Sequence, residues 1–313
     1  MAGSLAQAFM NISGGISKIT GIPSNPKLWL IIGIIIGVTT VTTAISGIQK
    51  GMKYIANINV YGFAIFLAFL LVTSNASFLF NLSTESLGGF AGTFVERILI
   101  TGESVDSQWP QWWTTFYWFS WMAWGPTSGA FMGRIAYGRT VKQMLGLYIA
   151  VCATISGFWM VVVSGTALWV QKSGAADLCA AYAAGTENVP YEMLAALPDG
   201  KIVIPLFIIL IFLSTVTACN SNFISMAGIS THGISPDSPE PPKKLTLLWC
   251  VIIIAVGYIM IATVGVNGVK IIANFGGMFA VLIMIGTAAS LGVLIKKHKK
   301  FDKTLTEAER AED

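Results

Sequence analysis

The sequence predicts an all-α polytopic membrane protein, and three observations carry that prediction. Apolar residues fill 54% of the 313 positions and charged residues only 11%, whereas a soluble domain usually carries about 25% charged residues. The apolar material is gathered into uncharged blocks that each reach the roughly 20 residues a helix needs to cross a hydrocarbon core about 30 Å thick. Lysine and arginine are dense in every second loop between those blocks and sparse in the others, the pattern left by successive spans with a basic cytoplasmic side.

The elements follow in chain order. Met1 to Ser24 contains Gly14, Gly15, Gly21 and Pro23 and has neither the basic start nor the long apolar run of a signal peptide. Leu28 to Ile48 and Tyr54 to Asn81 are the first two uncharged blocks. In Ser83 to Trp113, Leu87, Phe90, Ala91, Phe94, Ile98 and Leu99 recur at helical spacing, which predicts an amphipathic helix lying in the membrane interface. Five further blocks run from Gln111 to Gly133, Met144 to Gln171, Ile202 to Ile229, Leu245 to Val264 and Ile271 to Ile295.

Lys172 to Lys201 is predicted to be an outer loop; Thr231 to Lys244, with four prolines, is a cytoplasmic loop that cannot be helical throughout. The segment after Lys303 is a polar tail. Thirteen of the 19 basic residues fall on one side and six on the other, so the C-terminus is expected in the cytoplasm and, with seven spans, the N-terminus outside.

The distribution of ionisable groups excludes several chemistries. None of the 15 carboxylates lies inside a block, which weighs against an intramembrane proton relay or metal cage. His232 and His298 are both in predicted cytoplasmic segments, and no Ser, His and Asp set can be assembled within the membrane. Cys152, Cys179, Cys219 and Cys250 lack paired spacing, so neither a disulfide nor a metal site is implied. The formal charge of +4 is accounted for by a basic tail facing anionic lipid and calls for no nucleic acid.

What the spans do carry is neutral polarity and tryptophan. Asn57, Asn59, Thr73, Ser74 and Asn75 sit in the second block; Ser214, Thr215, Thr217, Asn220, Ser221, Asn222 and Ser225 sit in the fifth. Such groups commonly bond across helices in packing; the functional alternative is a cation pathway of hydroxyls, amides and carbonyls. Six of the ten tryptophans lie between Trp109 and Trp124. Trp109, Trp112 and Trp113 read as an interfacial belt. Trp118, Trp121 and Trp124 continue inward as a slanted ridge, each about 60° back from the last. Indole is the best aromatic partner for a cation, at roughly 0.5 to 2 kcal/mol per ring. Gly125, Pro126 and Gly129 follow at once, predicting either a helix break of the kind that frees backbone groups beside a transporter site or an ordinary proline kink.

WTTFYWFSWMAWGPTSGAFMGRIAYGRTVKQ, Trp113 to Gln143, resembles the signature stretch of the betaine/carnitine/choline transporter family, with its aromatic start, later tryptophan and closing R-I-x-x-G-R-T. Ser46 to Asn59, Thr215 to Gly228 and the end of the last block extend the resemblance along nearly the whole chain. It implies a partial inverted-repeat (LeuT-like) transporter core, with the seven spans matching the sixth to twelfth helices of the family and roughly the first five lying upstream. On that frame, residues 1–24 are the remnant of a preceding helix and an outer loop, and 25–82 are two spans ending the first repeat. Residues 83–108 are the interfacial helix and loop, 109–296 are five spans of the second repeat, and 297–313 are a cytoplasmic tail.

The resemblance also implies roles. Trp121 and Trp124 match binding-box positions for a trimethylammonium head, with Tyr117 and Phe131 lining the path, while Ser120 stands where relatives often have another tryptophan. Thr127 and Ser128 occupy positions near substrate or ion; Thr217, Asn220 and Thr127 form the expected ion-binding set, although Ala218 replaces a hydroxyl residue. Sodium-independent exchangers of the family carry Arg and Met where this chain has Asn59 and Ser128, which favours Na+ as a coupling ion. Arg134 and Arg139 are expected to be structural. The expected function is secondary active transport of glycine betaine, carnitine or choline across the cell (inner) membrane, with sodium-coupled symport, no enzymatic chemistry and no other cofactor. The alternatives are exchange without sodium and a non-transporting fragment or accessory subunit. A homotrimer, and an N-terminal half completing the core, are the expected partners.

Overall fold

The computed structural model describes residues 1–45, 48–136, 138–232 and 241–297; at 44, 45, 48–52, 105, 134, 266 and 269 it describes backbone alone. Most of the proline-rich loop (233–240) and nearly all of the tail with His298 (298–313) fall outside the described residues, as does the side chain of Arg134. Among the described residues every regular element is helical. Contacts divide the chain into two compact units, one of residues 1–100 and 131–269, the other of 101–130 and 270 onward.

The first unit opens with α1 (Ala2–Thr20), closed by Gly21 in the left-handed conformation, whose N–H donates to the Ser17 carbonyl. It continues through α2 (Pro26–Ile45), α3 (Ile48–Thr73) and α4 (Ala76–Leu99). After the other unit's segment come α6 (Val141–Leu145), a π-helical stretch (Gly146–Val151) and α7 (Cys152–Ser173). The short α8 (Leu178–Ala184) and α9 (Val189–Ala195) precede the long α10 (Gly200–Ile229) and α11 (Lys243–Val264).

Two apolar cores hold this unit, and α10 contributes to both. Leu5, Phe9 and Ile12 place one stripe of α1 at the i, i+4, i+7 spacing that a single helix face requires. That stripe meets Ile32 and Ile36 of α2, Val216, Cys219 and Phe223 of α10, and Cys250, Ile253 and Ile261 of α11. The opening stretch, which lacks a long apolar run, is therefore a buried helix. The second core joins Phe66 and Leu70 of α3 to Val162 and Val170 of α7, Tyr191, Met193 and Leu194 of α9, and Phe207 and Leu210 of α10. Gly165 lets α4 close on α7, since a β-carbon there would stand 2.6 Å from Leu79 Cδ2.

Three differences from the sequence expectation have physical causes. The second apolar block is cut: Asn75 adopts extended backbone and its side chain accepts from Phe78 N–H, capping α4 as a new helix. The interfacial helix thus starts at Ala76, anchored by buried Leu79, while Leu87, Phe90, Phe94, Ile98 and Leu99 are exposed along its length. The loop 172–201 is packed, with Tyr191 1% exposed and its hydroxyl donating to the Asn11 carbonyl at 2.6 Å. Beside it Lys18 pairs with Glu192 at 2.6 Å. Finally, among the described residues six helical segments are long and apolar enough to cross a membrane. The remaining expected span, Gln111 to Gly133, forms a helix of 27 residues, but its Trp, Tyr, Thr, Ser and Gly content makes it less apolar than the other six, as tryptophan and tyrosine favour the interface over hydrocarbon.

The second unit pairs most of α5 (Trp109–Ile135) with most of α12 (Val266–Lys296). Gly277 lies against the Phe119 backbone, Gly276 beside Ala123, and Gly125 beside the Met284 thioether. Contacts advance together along both helices, so the two run parallel. Small residues at such crossings allow the close approach that drives helix association in lipid.

Candidate functional site

The aromatic segment begins α5. Helical side chains lean toward the N-terminus, so residues four apart drift only about 40° and their rings meet. Trp109 and Trp113 are 5.8 Å apart between centroids, and Tyr117 and Trp121 are 6.1 Å apart with T-shaped geometry. The ring pairs therefore follow a stripe of spacing four, rather than the Trp118, Trp121, Trp124 ridge read from spacing three. Trp113 also meets Phe116 edge to face at 5.9 Å. Trp109, Trp113, Thr114, Tyr117 and Trp118 line a cleft of about 360 Å³ whose surface is nearly all apolar. Residues assigned by sequence to an interfacial belt thus form a concave aromatic surface.

A cation lies over one of these rings. Lys270 Nζ lies 5.0 Å from the Trp113 ring centroid, within range of a cation–π contact. In the sequence Lys270 is simply one of the six basic residues on the sparse side. The residue is far from Trp113 in the chain, and only the pairing of α12 with α5 brings it near.

Further along α5, Trp121 is exposed and Trp124 half-buried, one helical step apart. Thr127 is half-buried and donates its hydroxyl to the Trp124 carbonyl at 3.2 Å, while Ser128 is half-buried. Of the two readings the sequence offers at Gly125, Pro126 and Gly129, the structure has no break: helix continues from Trp109 to Ile135 with Pro126 inside it. Proline removes the bond that its own N–H would give to the Met122 carbonyl, and its ring crowds that same carbonyl. The Gly125 backbone is supported by Met284, whereas a β-carbon added at Gly129 would meet no atom within 4 Å. Phe131, two turns beyond Trp124, is half-buried and belongs to the first unit.

The expected ion-binding residues are divided between the units, Thr127 in the second and Thr217 and Asn220 in the first. On α10, the Thr217 hydroxyl donates to the Leu213 carbonyl at 2.8 Å. Asn220 is 1% exposed and its Nδ2 donates to Thr43 Oγ1 of α2 at 2.9 Å, leaving Oδ1 buried without a hydrogen-bond partner among the described residues. A second polar link joins α3 to α10, with Asn59 Nδ2 donating to Ser214 Oγ at 2.7 Å. Thr217 and Asn220 lie one helical turn apart, and their oxygens are neutral donors of the kind that suit a monovalent alkali ion. Among the described residues no group of three or more His, Cys, Asp or Glu could hold a metal.

Apolar helices and the neutral polar seams between them define a multi-pass membrane protein. Residues 1–300 match the model of the BCCT, betaine/carnitine/choline family transporter, and the chain belongs to that family. An uncharacterized transporter of Mycobacterium tuberculosis is 29% identical over 268 residues, which cover 85% of this chain and 41% of that protein. A probable glycine betaine transporter of Desulfitobacterium hafniense is 29% identical over 291 residues, covering 91% of this chain and 57% of that protein. The ectoine/hydroxyectoine transporter of Virgibacillus pantothenticus is 24% identical over 304 residues, 97% of this chain and 60% of that protein. The chain thus spans 41% to 60% of the length of these relatives.

Proposed function

We propose that this chain provides the substrate-binding wall of a secondary transporter for a small quaternary ammonium compound, of the glycine betaine, carnitine or choline type. The observation that carries the proposal is the aromatic stripe and cleft of α5, on which a lysine ammonium already rests 5.0 Å from Trp113. A trimethylammonium group spreads its charge over methyl groups and sheds water more easily than a primary ammonium. Aromatic faces attract it without a fixed carboxylate, at about 0.5 to 2 kcal/mol per ring. Family membership and the relative named as a probable glycine betaine transporter support the same substrate class.

In this reading Trp121 and Trp124 hold the ammonium head, Tyr117 and Phe131 line the route, and Thr127 and Ser128 supply polar contacts. Gly125 and Gly129 lower the local cost of bending around Pro126 during alternating access. Thr217 and Asn220 serve a coupling Na+, making the process symport. The protein works in the cell membrane with its C-terminus in the cytoplasm, and a homotrimer is the proposed assembly.

Uptake of labelled glycine betaine by cells expressing the protein, in sodium and in potassium medium, tests the reading. Uptake that is inhibited by carnitine or choline and requires sodium is expected. Equal uptake in both media overturns symport, and inhibition by ectoine alone overturns the quaternary ammonium assignment.

A further inference from the structure

Lys270 heads the part of α12 that belongs to the second unit, and its ammonium lies 5.0 Å from the Trp113 centroid. The ion pair found among the described residues is Lys18 with Glu192, so Lys270 is held by a ring face and by no carboxylate there. The same ring forms part of the cleft of about 360 Å³ lined by Trp109, Trp113, Thr114, Tyr117 and Trp118. The surface is open, and its apolar wall suits methyl groups. Two cations cannot share one indole face, because like charges a few ångströms apart repel. A lysine on a flexible four-carbon stem can swing aside when a better-suited cation arrives.

We propose that Lys270 is a tethered competitor at the Trp113 face, about two helical turns before Trp121: its ammonium occupies that face in the empty protein and must be displaced before a quaternary ammonium compound can rest there, so that this residue sets the affinity of the cleft rather than of the Trp121 and Trp124 positions. The inference rests on reading α5 as an ammonium-binding segment. It adds a specificity role, since a strongly hydrated ammonium or an alkali ion gains too little from the ring to displace the lysine, whereas a methylated ammonium gains more.

The test is tetramethylammonium binding to the purified protein in lipid nanodiscs, followed by tryptophan fluorescence. Lys270→Gln is expected to bind roughly three- to tenfold more tightly than the parent, the size of one partly desolvated cation–π contact. Lys270→Arg, which keeps the charge and stacks on indole, should stay within about twofold of the parent. Adding Trp113→Leu to Lys270→Gln should remove the gain. An unchanged or weaker affinity in Lys270→Gln overturns the proposal, as does a Lys270→Arg variant that tightens equally, because size rather than charge would then be responsible. Binding by the parent that is lost in Trp124→Leu but unaltered by Lys270→Gln would leave the ammonium reading of α5 standing and remove Lys270 from it. Absence of binding in the parent and in Lys270→Gln would overturn both.

Discussion

Adjacent glycines in α12 offer a controlled perturbation of the scaffold that carries the tryptophans. A β-carbon added at Gly277 would fall on the Phe119 carbonyl and α-carbon, which are backbone atoms with no rotamer to yield. At Gly276 the nearest atom is Ala123 Cβ at 3.8 Å, an ordinary van der Waals contact. Both replacements by alanine gain the same helix propensity, about 0.8 to 1 kcal/mol. Only Gly277→Ala also forces two helices apart, at about 1 to 3 kcal/mol for overpacking. The difference between the variants therefore isolates the packing term. Thermal loss of monodisperse protein in detergent should occur a few degrees lower for Gly277→Ala than for Gly276→Ala, with Gly276→Ala at or above the parent. Coincident midpoints for the two would refute the close pairing of α5 with α12, and with it the placement of Lys270 over Trp113.

Other outcomes follow from the same contacts. Tyr191→Phe removes the bond to the Asn11 carbonyl and should lower stability by about 1 to 2 kcal/mol in a denaturation midpoint; no change would mean that water replaces the hydroxyl. Glu192→Gln should cost less than about 1 kcal/mol by the same measurement, because both partners of the Lys18 pair are about one third exposed. Asn220→Ala breaks the link to Thr43, and a loss of about 0.6 to 2 kcal/mol is expected. Thr217→Val should raise the sodium concentration needed for half-maximal uptake several-fold while leaving the thermal midpoint close to the parent's, since the hydroxyl bonds only to its own helix at Leu213; an unchanged sodium dependence would exclude Thr217 from the ion site.

Much of the architecture was legible in the sequence because lipid imposes a simple rule: an uncharged apolar run must become a helix. The blocks that became α2, α10, α11 and α12 lie within a few residues of their expected ends. The errors arose where one local group outweighs hydropathy. Asn75 is a single capping side chain inside an apolar run, and its bond to Phe78 N–H ends the logic of the second block. Tyr191, Met193 and Leu194 lie within the predicted outer loop; their burial depends on α1 and α10, which no local pattern reveals. The Gly-Pro-x-x-Gly motif left a broken and a continuous helix both open, and the 27-residue helix runs through it with Pro126 inside. At the site, tryptophan identity and spacing were readable, but the choice between spacing three and spacing four depended on how side chains lean along the helix. Lys270 required tertiary contact and had no sequence signal beyond its isolation at the head of an apolar block.

The central claim is that the indoles of α5 recognise an ammonium head, and Trp124→Leu tests it most directly. Leucine keeps the residue apolar and helical while removing the π face. Under the proposed function, uptake of glycine betaine by the variant at equal surface expression should need roughly 2- to 30-fold more substrate for half-maximal rate, the equivalent of about 0.5 to 2 kcal/mol for one ring. Uptake with parental concentration dependence would contradict the claim.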